Sequence, residues 1–232
     1  MLNTPTSSLD RTLAAMQLMD SALPTGAFSH SFGFETYMHR GVITDAESFA
    51  QWLEVFCTEQ LTFTDAVIVR EVFEAKEFAE IIDLDHVVRA QAVPVQVRNA
   101  GRTMGIRMLE IASEGYPSQW LSEYQGCVEK RSLAAHPALV WALVARGLGF
   151  GVDEAVAHHV YATVISLIQN AVRAVPIGQN AGQRLATRAQ QWVSEAMRAS
   201  AELGLEDIGA ITPGLEIAQM QHENQRARMF MS

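Results

Sequence analysis

Residues 152–172, VDEAVAHHVYATVISLIQNAV, decide the fold of this chain. Aliphatic side chains recur in it every four positions, which is the spacing of one face of an α-helix. They are Val152, Val156, Val160, Val164, Ile168 and Val172. Further apolar residues lie beside this stripe, so the apolar face is wider than a surface helix needs. The sequence therefore predicts a buried central helix, which ends at Pro176 and Gly178.

The same segment is too polar to span a membrane. A span needs about 20 consecutive and mostly apolar residues, whereas the uncharged stretch 155–172 contains His158, His159, Gln169 and Asn170. The first eleven residues have neither the basic nor the apolar region of a signal peptide. We expect a soluble, cytoplasmic protein that does not associate with membranes.

Helical periodicity extends to both sides of the central helix. It predicts further helices over 12–20, 34–39, 65–78, 97–113, 118–135, 137–146 and 180–203. Thr44 and Glu47 form a capping-box pattern at the start of another helix. The apolar stripe of that helix is Phe49, Leu53, Phe56 and Leu61.

The sequence contains no convincing strand pattern, no Asn-Gly hairpin and no internal repeat. We therefore predict an all-α fold, a helical bundle with a long buried central helix. Its 232 residues are expected to form a single domain over 1–232. Residues 1–10 are expected to be flexible, and residues from about 212 to 232 to form a tail that docks on a partner.

Composition excludes several functional classes. The chain has 17 Lys and Arg against 26 Asp and Glu, a formal net charge of −9, which argues against binding of nucleic acid. Apolar residues make up 49% of the chain, which is enough for a sizeable core. Cys57 and Cys127 are far apart with no second pair, so neither a disulfide framework nor a cysteine zinc site is predicted.

Charge is distributed unevenly along the chain. Residues 44–86 contain eleven acids and two bases, whereas 155–194 contain Arg173, Arg184 and Arg188 and no acid. Segregation of this kind is typical of a solvated face, and it also suits electrostatic docking of a protein partner.

Nucleotide-binding motifs are not present. Gly147, Gly149 and Gly151 have the spacing G-x-G-x-G instead of G-x-G-x-x-G, and no acid follows at the distance that a ribose requires. These glycines are better interpreted as a helix C-cap and turn. The sequence also lacks a P-loop.

Ser29 and His30 suggest a nucleophile and its base, but adjacent residues do not form a catalytic triad by sequence alone. Asp20 and Glu35 are candidates for the third group only because they are near in sequence. Capping and turn hydrogen bonds explain these hydroxyl groups more simply. A hydrolase stays open as an alternative.

The seven histidines do not form a chelating pattern. His158 and His159 are neighbours, so on a helix they point about 100° apart and do not chelate one ion together. The other histidines are isolated in sequence. We predict no resident metal, although a transient contact with nickel remains compatible with imidazole chemistry.

Five blocks resemble one known family. Residues 23–36, LPTGAFSHSFGFET, resemble the N-terminal signature of the urease accessory protein family UreF, and 173–184, RAVPIGQNAGQR, are similar to its most specific motif. The blocks 98–109 and 136–150 and the tail 207–232 agree in order and spacing. Two positions depart from the family pattern: Gln96 stands where Glu is frequent, and Trp141 where a small residue is usual.

The resemblance implies an all-α accessory protein that is not an enzyme and has no cofactor of its own. Such proteins are expected to dimerise and to bridge the accessory protein UreD, also called UreH, and the GTPase UreG. The complex inserts nickel into the urease apoprotein. GTP is bound by UreG, UreE donates the nickel, and the metal only passes through.

Two groups of partner-binding residues are predicted. The first, expected to face UreG, consists of Arg173, Pro176, Gly178, Gln179, Gln183 and Arg184. This turn alternatively serves only to join two helices or to form a dimer seam.

The second group is expected to order on UreD, with Arg228 reaching back towards residues 29–35. It consists of Ser29, His30, Glu35, His222, Glu223, Arg226, Arg228 and Phe230. In the alternative, the tail packs on its own domain. A further alternative for the whole chain is a modulator of UreG, either activating its GTPase through a finger such as Arg173 or restraining it as a checkpoint.

Overall fold

The computed structural model describes residues 7–209 and 212–232. Within them every regular element is helical, which confirms the predicted all-α fold. The α-helices are α1 (Ser8–Leu18), α2 (Phe34–His39), α3 (Ala46–Val55), α4 (Val67–Glu74), α5 (Phe78–Gln91), α6 (Val95–Gly115), α7 (Gln119–Glu129), α8 (Pro137–Leu148), α9 (Val152–Ala174), α10 (Gln179–Ala199) and α11 (Pro213–His222). A π-helical segment, Phe56–Ala66, joins α3 to α4, and short 3₁₀ turns cover Ala27–Ser29, Ser200–Glu202 and Leu205–Asp207.

Helix α9 is the predicted central helix. It packs against α10, the π-helical segment, α8 and α4, and Val156, Val160 and Val164 of its stripe are completely buried. The backbone amide of Gly151 donates to Glu154 Oε2 at 3.0 Å, so this carboxylate caps the start of the helix.

Trp141 lies beneath α9. Its side chain is fully buried on α8, and its indole N–H donates to the carbonyl oxygen of Ala155 at 2.8 Å. The large side chain at this position therefore ties α8 to α9 by a hydrogen bond as well as by packing.

The predicted capping box at Thr44 and Glu47 is wrong by one residue. Asp45 is the N-cap: its carboxylate accepts from the amide of Ser48 at 2.9 Å, and Ser48 Oγ accepts from the amide of Asp45 at 3.1 Å. Asp45 and Ser48 thus each accept from the backbone amide of the other, which is the reciprocal arrangement of a capping box.

The predicted helix over 65–78 is also wrong in its bounds. Helix α4 ends at Glu74, and α5, which the sequence did not predict, begins at Phe78. The apolar residues of α5 are separated by acids, and one of these acids, Asp85, faces the core. It accepts hydrogen bonds from the amides of Ala134 and Ala135 at 2.8 and 3.2 Å and from Tyr124 Oη.

Helix α7 ends at Glu129 rather than at the predicted residue 135, because Arg131 adopts a positive φ of 59° and the amide of Ser132 turns back to the carbonyl of Cys127 at 3.1 Å. The bonds to Asp85 hold the loop that follows.

Ala135 has a positive φ of 63°. A Cβ added to Gly105 would lie only 1.6 Å from the carbonyl oxygen of Ala135. Gly105 therefore lets this loop lie directly against α6.

Gly149 follows α8 with a φ of 77°, and its amide bonds to the carbonyl of Arg146 at 3.1 Å. The interpretation of this glycine-rich stretch as a helix C-cap and turn is therefore confirmed. In the part of the chain that the structure describes, no helix has the length and apolar character needed to cross a bilayer.

Candidate functional site

The N-terminal signature folds into a turn followed by α2. Gly26 and Gly33 adopt φ values of 89° and 103°, a region open mainly to glycine. A Cβ on Gly33 would also lie 3.0 Å from side-chain atoms of Gln219 and Leu215 on α11. The glycine is thus required both by its backbone conformation and by the close approach of α11.

The end of the chain pairs with this turn. The amide of Met231 donates to the carbonyl of Ser29 at 2.8 Å, and the amide of Ser31 donates to the carbonyl of Ser232 at 2.6 Å. His30 Nδ1 lies 2.8 Å from Ser232 Oγ. The tail therefore packs on its own chain along residues 29–31.

Glu35 holds the tail from the other side. Its carboxylate accepts from the amides of Met229 and Phe230, at 2.6 and 3.2 Å, and from His222 Nε2 at 2.7 Å. Burial by itself would raise the pKa of Glu35, but the hydrogen bonds from His222 and the two amides outweigh it and lower the pKa. Glu35 is therefore a buried anion that fixes three points of the C-terminal segment.

Gln96 continues this network. With its amide oxygen accepting from Arg228 Nη1 at 2.7 Å, its nitrogen donates to His222 Nδ1 at 2.8 Å. Arg228 thus reaches the site through Gln96. Among the described residues, no bond joins it directly to residues 29–35. A Glu at position 96 would form an ion pair here, which Gln96 replaces with neutral hydrogen bonds.

Phe230 anchors the tail in the core. Its side chain is 3% exposed and lies edge-on to Phe34, with ring centroids 5.2 Å apart. The Arg173 guanidinium lies 5.7 Å from the centroid of the same ring, and Arg173 Nη1 donates to the carbonyl of Phe28 at 2.9 Å. The structure therefore brings Arg173 from the first predicted group into the second.

Asn170 is a site residue that belongs to neither predicted group. Its amide nitrogen donates to the carbonyls of Ala27 and His30, at 3.1 and 2.8 Å, and fixes the turn on α9. The only signal was a polar residue on an otherwise apolar helix face. Thr36, which donates to the carbonyl of Ala218 at 2.8 Å, had no such signal.

The other residues of the first group form the exposed turn between α9 and α10. Val175 and Ile177 point inward, whereas Pro176, Gly178 and Gln179 are exposed. Gln183 and Arg184 are exposed on the first turns of α10. Within the described residues, the side chains of Gln179, Gln183 and Arg184 have no hydrogen bond or ion pair.

Gly182, on the first turn of α10, has a packing role. A Cβ at this position would lie 2.9 Å from Val172 Cγ2, so the glycine lets α10 cross close to α9. Glu223 and Arg226, from the second group, are exposed. Their side chains make no hydrogen bond or ion pair in the described part of the chain.

The geometry does not assemble a hydrolase. His30 is bonded to Ser232, and among the described residues no hydrogen bond joins Ser29 to His30. Asp20 accepts from the amide of Ala22 at 2.8 Å, and Glu35 is committed to the tail. The predicted third groups are therefore both occupied elsewhere.

Within residues 7–209 and 212–232, no three His, Cys, Asp or Glu side chains are grouped so that they could hold a metal ion. An apolar rim, Phe28, Met229 and Met231, is 59%, 56% and 68% exposed, and it lies on the two segments that the Met231–Ser29 hydrogen bond joins.

Comparison with known proteins identifies the family. The UreF family model matches residues 43–190. The chain is 66% identical over 224 residues to a protein of Corynebacterium efficiens named urease accessory protein UreF, covering 97% of this chain and 98% of that protein. Proteins of the same name from Kocuria rhizophila and Bacillus sp. (strain TB-90) are 55% and 41% identical, over 97% of this chain and 98% and 100% of their own lengths. The name describes an accessory protein rather than an enzyme, and the chain belongs to the UreF family of urease accessory proteins.

Proposed function

We propose that this chain, as a homodimer, bridges UreD (UreH) and the GTPase UreG in a cytoplasmic complex that inserts nickel into the urease apoprotein. It needs no cofactor of its own for this role, because UreG binds the GTP and the nickel is cargo. One observation carries the proposal: the exposed apolar rim adjoins the exposed turn between α9 and α10 at Arg173. The polar side chains on that turn have no hydrogen-bond or ion-pair partner among the described residues. Exposed apolar patches with polar borders are typical of protein interfaces.

The apolar rim of Phe28, Met229 and Met231 suits UreD. Methionine and aromatic side chains are enriched in interface cores, and the backbone beneath them is held by Glu35 and Ser29 before any partner binds. A prearranged surface loses less conformational entropy on binding.

The turn between α9 and α10 suits UreG. Arg184, Gln179 and Gln183 offer hydrogen-bond donors that the described chain leaves unused, and Arg184 adds a charge. The guanidinium group presents a planar fork that matches a carboxylate on a partner.

Pull-down of tagged UreG with UreD and this chain, followed by GTP-dependent urease activation, tests both surfaces. We expect Arg184→Ala to weaken recruitment of UreG about tenfold or more while UreD still binds. Arg198→Ala, on the exposed face of the same helix, is the matched control. Unchanged recruitment of UreG by Arg184→Ala would remove this part of the proposal.

A second variant tests the rim. Met231→Asp changes an exposed side chain, so the fold is expected to persist, but UreD should no longer co-purify because a charge enters an apolar contact. Met16→Asp, an equally exposed methionine on α1, should leave UreD binding intact. Retention of UreD by the Met231→Asp protein would contradict the proposed contact.

A modulating role towards UreG is the second candidate. An arginine finger must be free to enter another active site, and Arg184 meets this condition whereas Arg173 is held by Phe28 and Phe230. Steady-state GTP hydrolysis by UreG with wild-type chain or Arg184→Ala separates the roles. The rates are compared at concentrations of each chain that saturate UreG, so that weaker recruitment by the variant does not contribute. Activation lost at saturation indicates a finger, restraint lost at saturation indicates a checkpoint, and equal rates leave bridging alone.

A further inference from the structure

A cavity of about 240 Å³ lies among the helices, and Glu216 and Gln219 of α11, in the first part of the tail, contribute to its lining. Its walls come mainly from α6, the π-helical segment and α9, and the loop after α1 closes one side. One water molecule needs only about 10–15 Å³ of cavity volume, so this space is many times larger than a single water requires. It is therefore large enough for a small organic ligand.

The π-helical segment forms one wall of the cavity. Five of its residues line the cavity, and they recur every four to five positions, as residues on one face of this segment should. They are Phe56, Gln60, Leu61, Thr64 and Asp65. Thr62 Oγ1 donates five residues back, to the carbonyl of Cys57 at 3.2 Å. π-Helical turns are rare and are found frequently at functional sites. Their presence along this wall indicates that the cavity is more than a packing defect.

One polar group of the cavity is satisfied within the protein. His159 Nε2 lies 2.8 Å from Asp65 Oδ1, and Thr64 Oγ1 donates to Asp65 Oδ2 at 3.0 Å. Burial alone would raise the pKa of Asp65, but the hydrogen bond from His159 and the nearby His136 lower it to about 2. Asp65 is thus a paired anion that needs no ligand.

Arg102 on α6 is different. Its Nε is shielded from solvent and has no hydrogen-bond partner, and no ion pair or hydrogen bond to its guanidinium exists among the described residues. Arg98, one turn earlier on the same wall, donates to the carbonyls of Ala92 and Val93 at 2.7 and 3.1 Å. A shielded donor without an acceptor is unfavourable, and an anion in the cavity would remove this penalty.

We propose that this cavity binds a small monocarboxylate with an apolar body, whose carboxylate pairs with Arg102. The guanidinium fork matches a carboxylate in geometry as well as charge. A single charge is favoured over a dianion because Asp20, Asp65 and Glu216 also line the cavity. The remaining wall is largely aliphatic and aromatic, including Leu18, Val88 and Met108, which suits an alkyl chain.

The full-length chain titrated with sodium hexanoate, with hexan-1-ol as the uncharged isostere, tests the site by isothermal calorimetry. We expect hexanoate to bind roughly tenfold or more tightly than hexanol, because only the acid makes a charge-assisted bond to Arg102. In Arg102→Met, which keeps an unbranched apolar stem but removes the guanidinium group, this preference should disappear. Arg107→Met is the matched control, because Arg107 is exposed on the same helix and paired with Glu110.

A cavity-filling variant locates the ligand. Ser166→Phe should abolish hexanoate binding while the circular dichroism spectrum stays helical, since Ser166 lines the cavity from α9. The proposal is overturned if hexanoate binds no better than hexanol, if Arg102→Met keeps the preference, or if folded Ser166→Phe binds as the parent does. These readouts are independent of nickel insertion, so the proposed bridging role stands or fails separately.

Discussion

Glu35 shows how one buried side chain organises a whole segment. It lies 3% exposed on α2 and accepts bonds from His222 and from two tail amides. A carboxylate is more effective here than a neutral amide, because it offers only acceptors and every one of its neighbours donates. The docking of the tail therefore depends on the ionisation of Glu35.

We expect Glu35→Gln to destabilise the protein by about 1–3 kcal/mol at pH 7, since charged hydrogen bonds are lost in a buried site. The folded-state pKa of Glu35 lies below its unfolded value, so its contribution is complete above the unfolded pKa and disappears as pH falls through the folded pKa. Urea unfolding should therefore show the two proteins converging below about pH 4. Glu223→Gln, an exposed change nearby, should match wild type, and a gap that is independent of pH would contradict this account.

Gly105 illustrates a steric constraint that composition does not reveal. In Gly105→Ala the new Cβ would stand 1.6 Å from the Ala135 carbonyl oxygen, so α6 and the loop must separate. We expect a loss of about 1–3 kcal/mol or more of unfolding free energy by urea titration. Gly126→Ala on α7, with nothing within 4 Å of its Cβ, should instead gain up to about 1 kcal/mol. If the two variants changed the unfolding free energy equally, the loop at Ala135 would move away from α6 at little cost, which would contradict this account.

The elements differ in how far sequence alone predicts them. Helix α9 was predictable because its aliphatic repeat is uninterrupted, whereas α5 was missed because its acids, including the buried Asp85, looked solvated. The five-residue gap from Phe56 to Leu61 was the one trace of the π-helical segment. This gap alone does not distinguish a π-helix from an α-helix, because an apolar face forms in either helix type.

The candidate site was predictable only in part for a related reason. The signature and the tail were selected by resemblance, and a reach of Arg228 towards residues 29–35 was expected. The bonds from His222 and the tail amides to Glu35 were not, since these partners lie almost two hundred residues away in sequence. Asn170 and Thr36 donate to backbone carbonyls. Bonds of this kind leave no pattern in sequence spacing.

The packing of Phe230 leads to a prediction about how firmly the tail is docked. Phe230→Ala removes a buried ring that packs on Phe34, and truncation of a buried aromatic costs about 3–5 kcal/mol. Because the segment is terminal, we expect local release rather than global unfolding. Amide hydrogen exchange should show lost protection at residues 229–232 and unchanged protection in α9.

Met231→Ala is the control for this experiment, because the Met231 side chain is 68% exposed and its backbone amide is retained. It should leave exchange in the tail nearly unchanged. Retained protection in Phe230→Ala would mean that the backbone bonds of Glu35 and Ser29 hold the tail without the ring.

Across the whole molecule, the uneven charge of the sequence is used to connect helices. Arg188 of the acid-free stretch lies 3.1 Å from Glu47 and 3.7 Å from Glu54 of the acid-rich one, which joins α10 to α3. Arg70, one of the two bases within the acid-rich stretch, pairs with Asp153 at 2.8 Å, which joins α4 to α9. The two arginines differ mainly in burial: their side chains are 46% and 12% exposed, respectively.

This difference in burial predicts unequal energies. Arg70 Nε donates to Ser200 Oγ at 2.9 Å, and its Nη2 donates to the Met197 carbonyl at 2.6 Å, so Arg70→Gln should cost about 2–3 kcal/mol. Arg188→Gln should cost no more than about 1 kcal/mol, because exposed ion pairs contribute little. At 1 M salt, where the Debye length is about 3 Å, the Arg188 effect should nearly vanish in urea titrations while most of the Arg70 effect remains. A similar salt response for both variants would mean that Arg70 acts through its charge alone and not through its bonds to α10 and the turn that follows it.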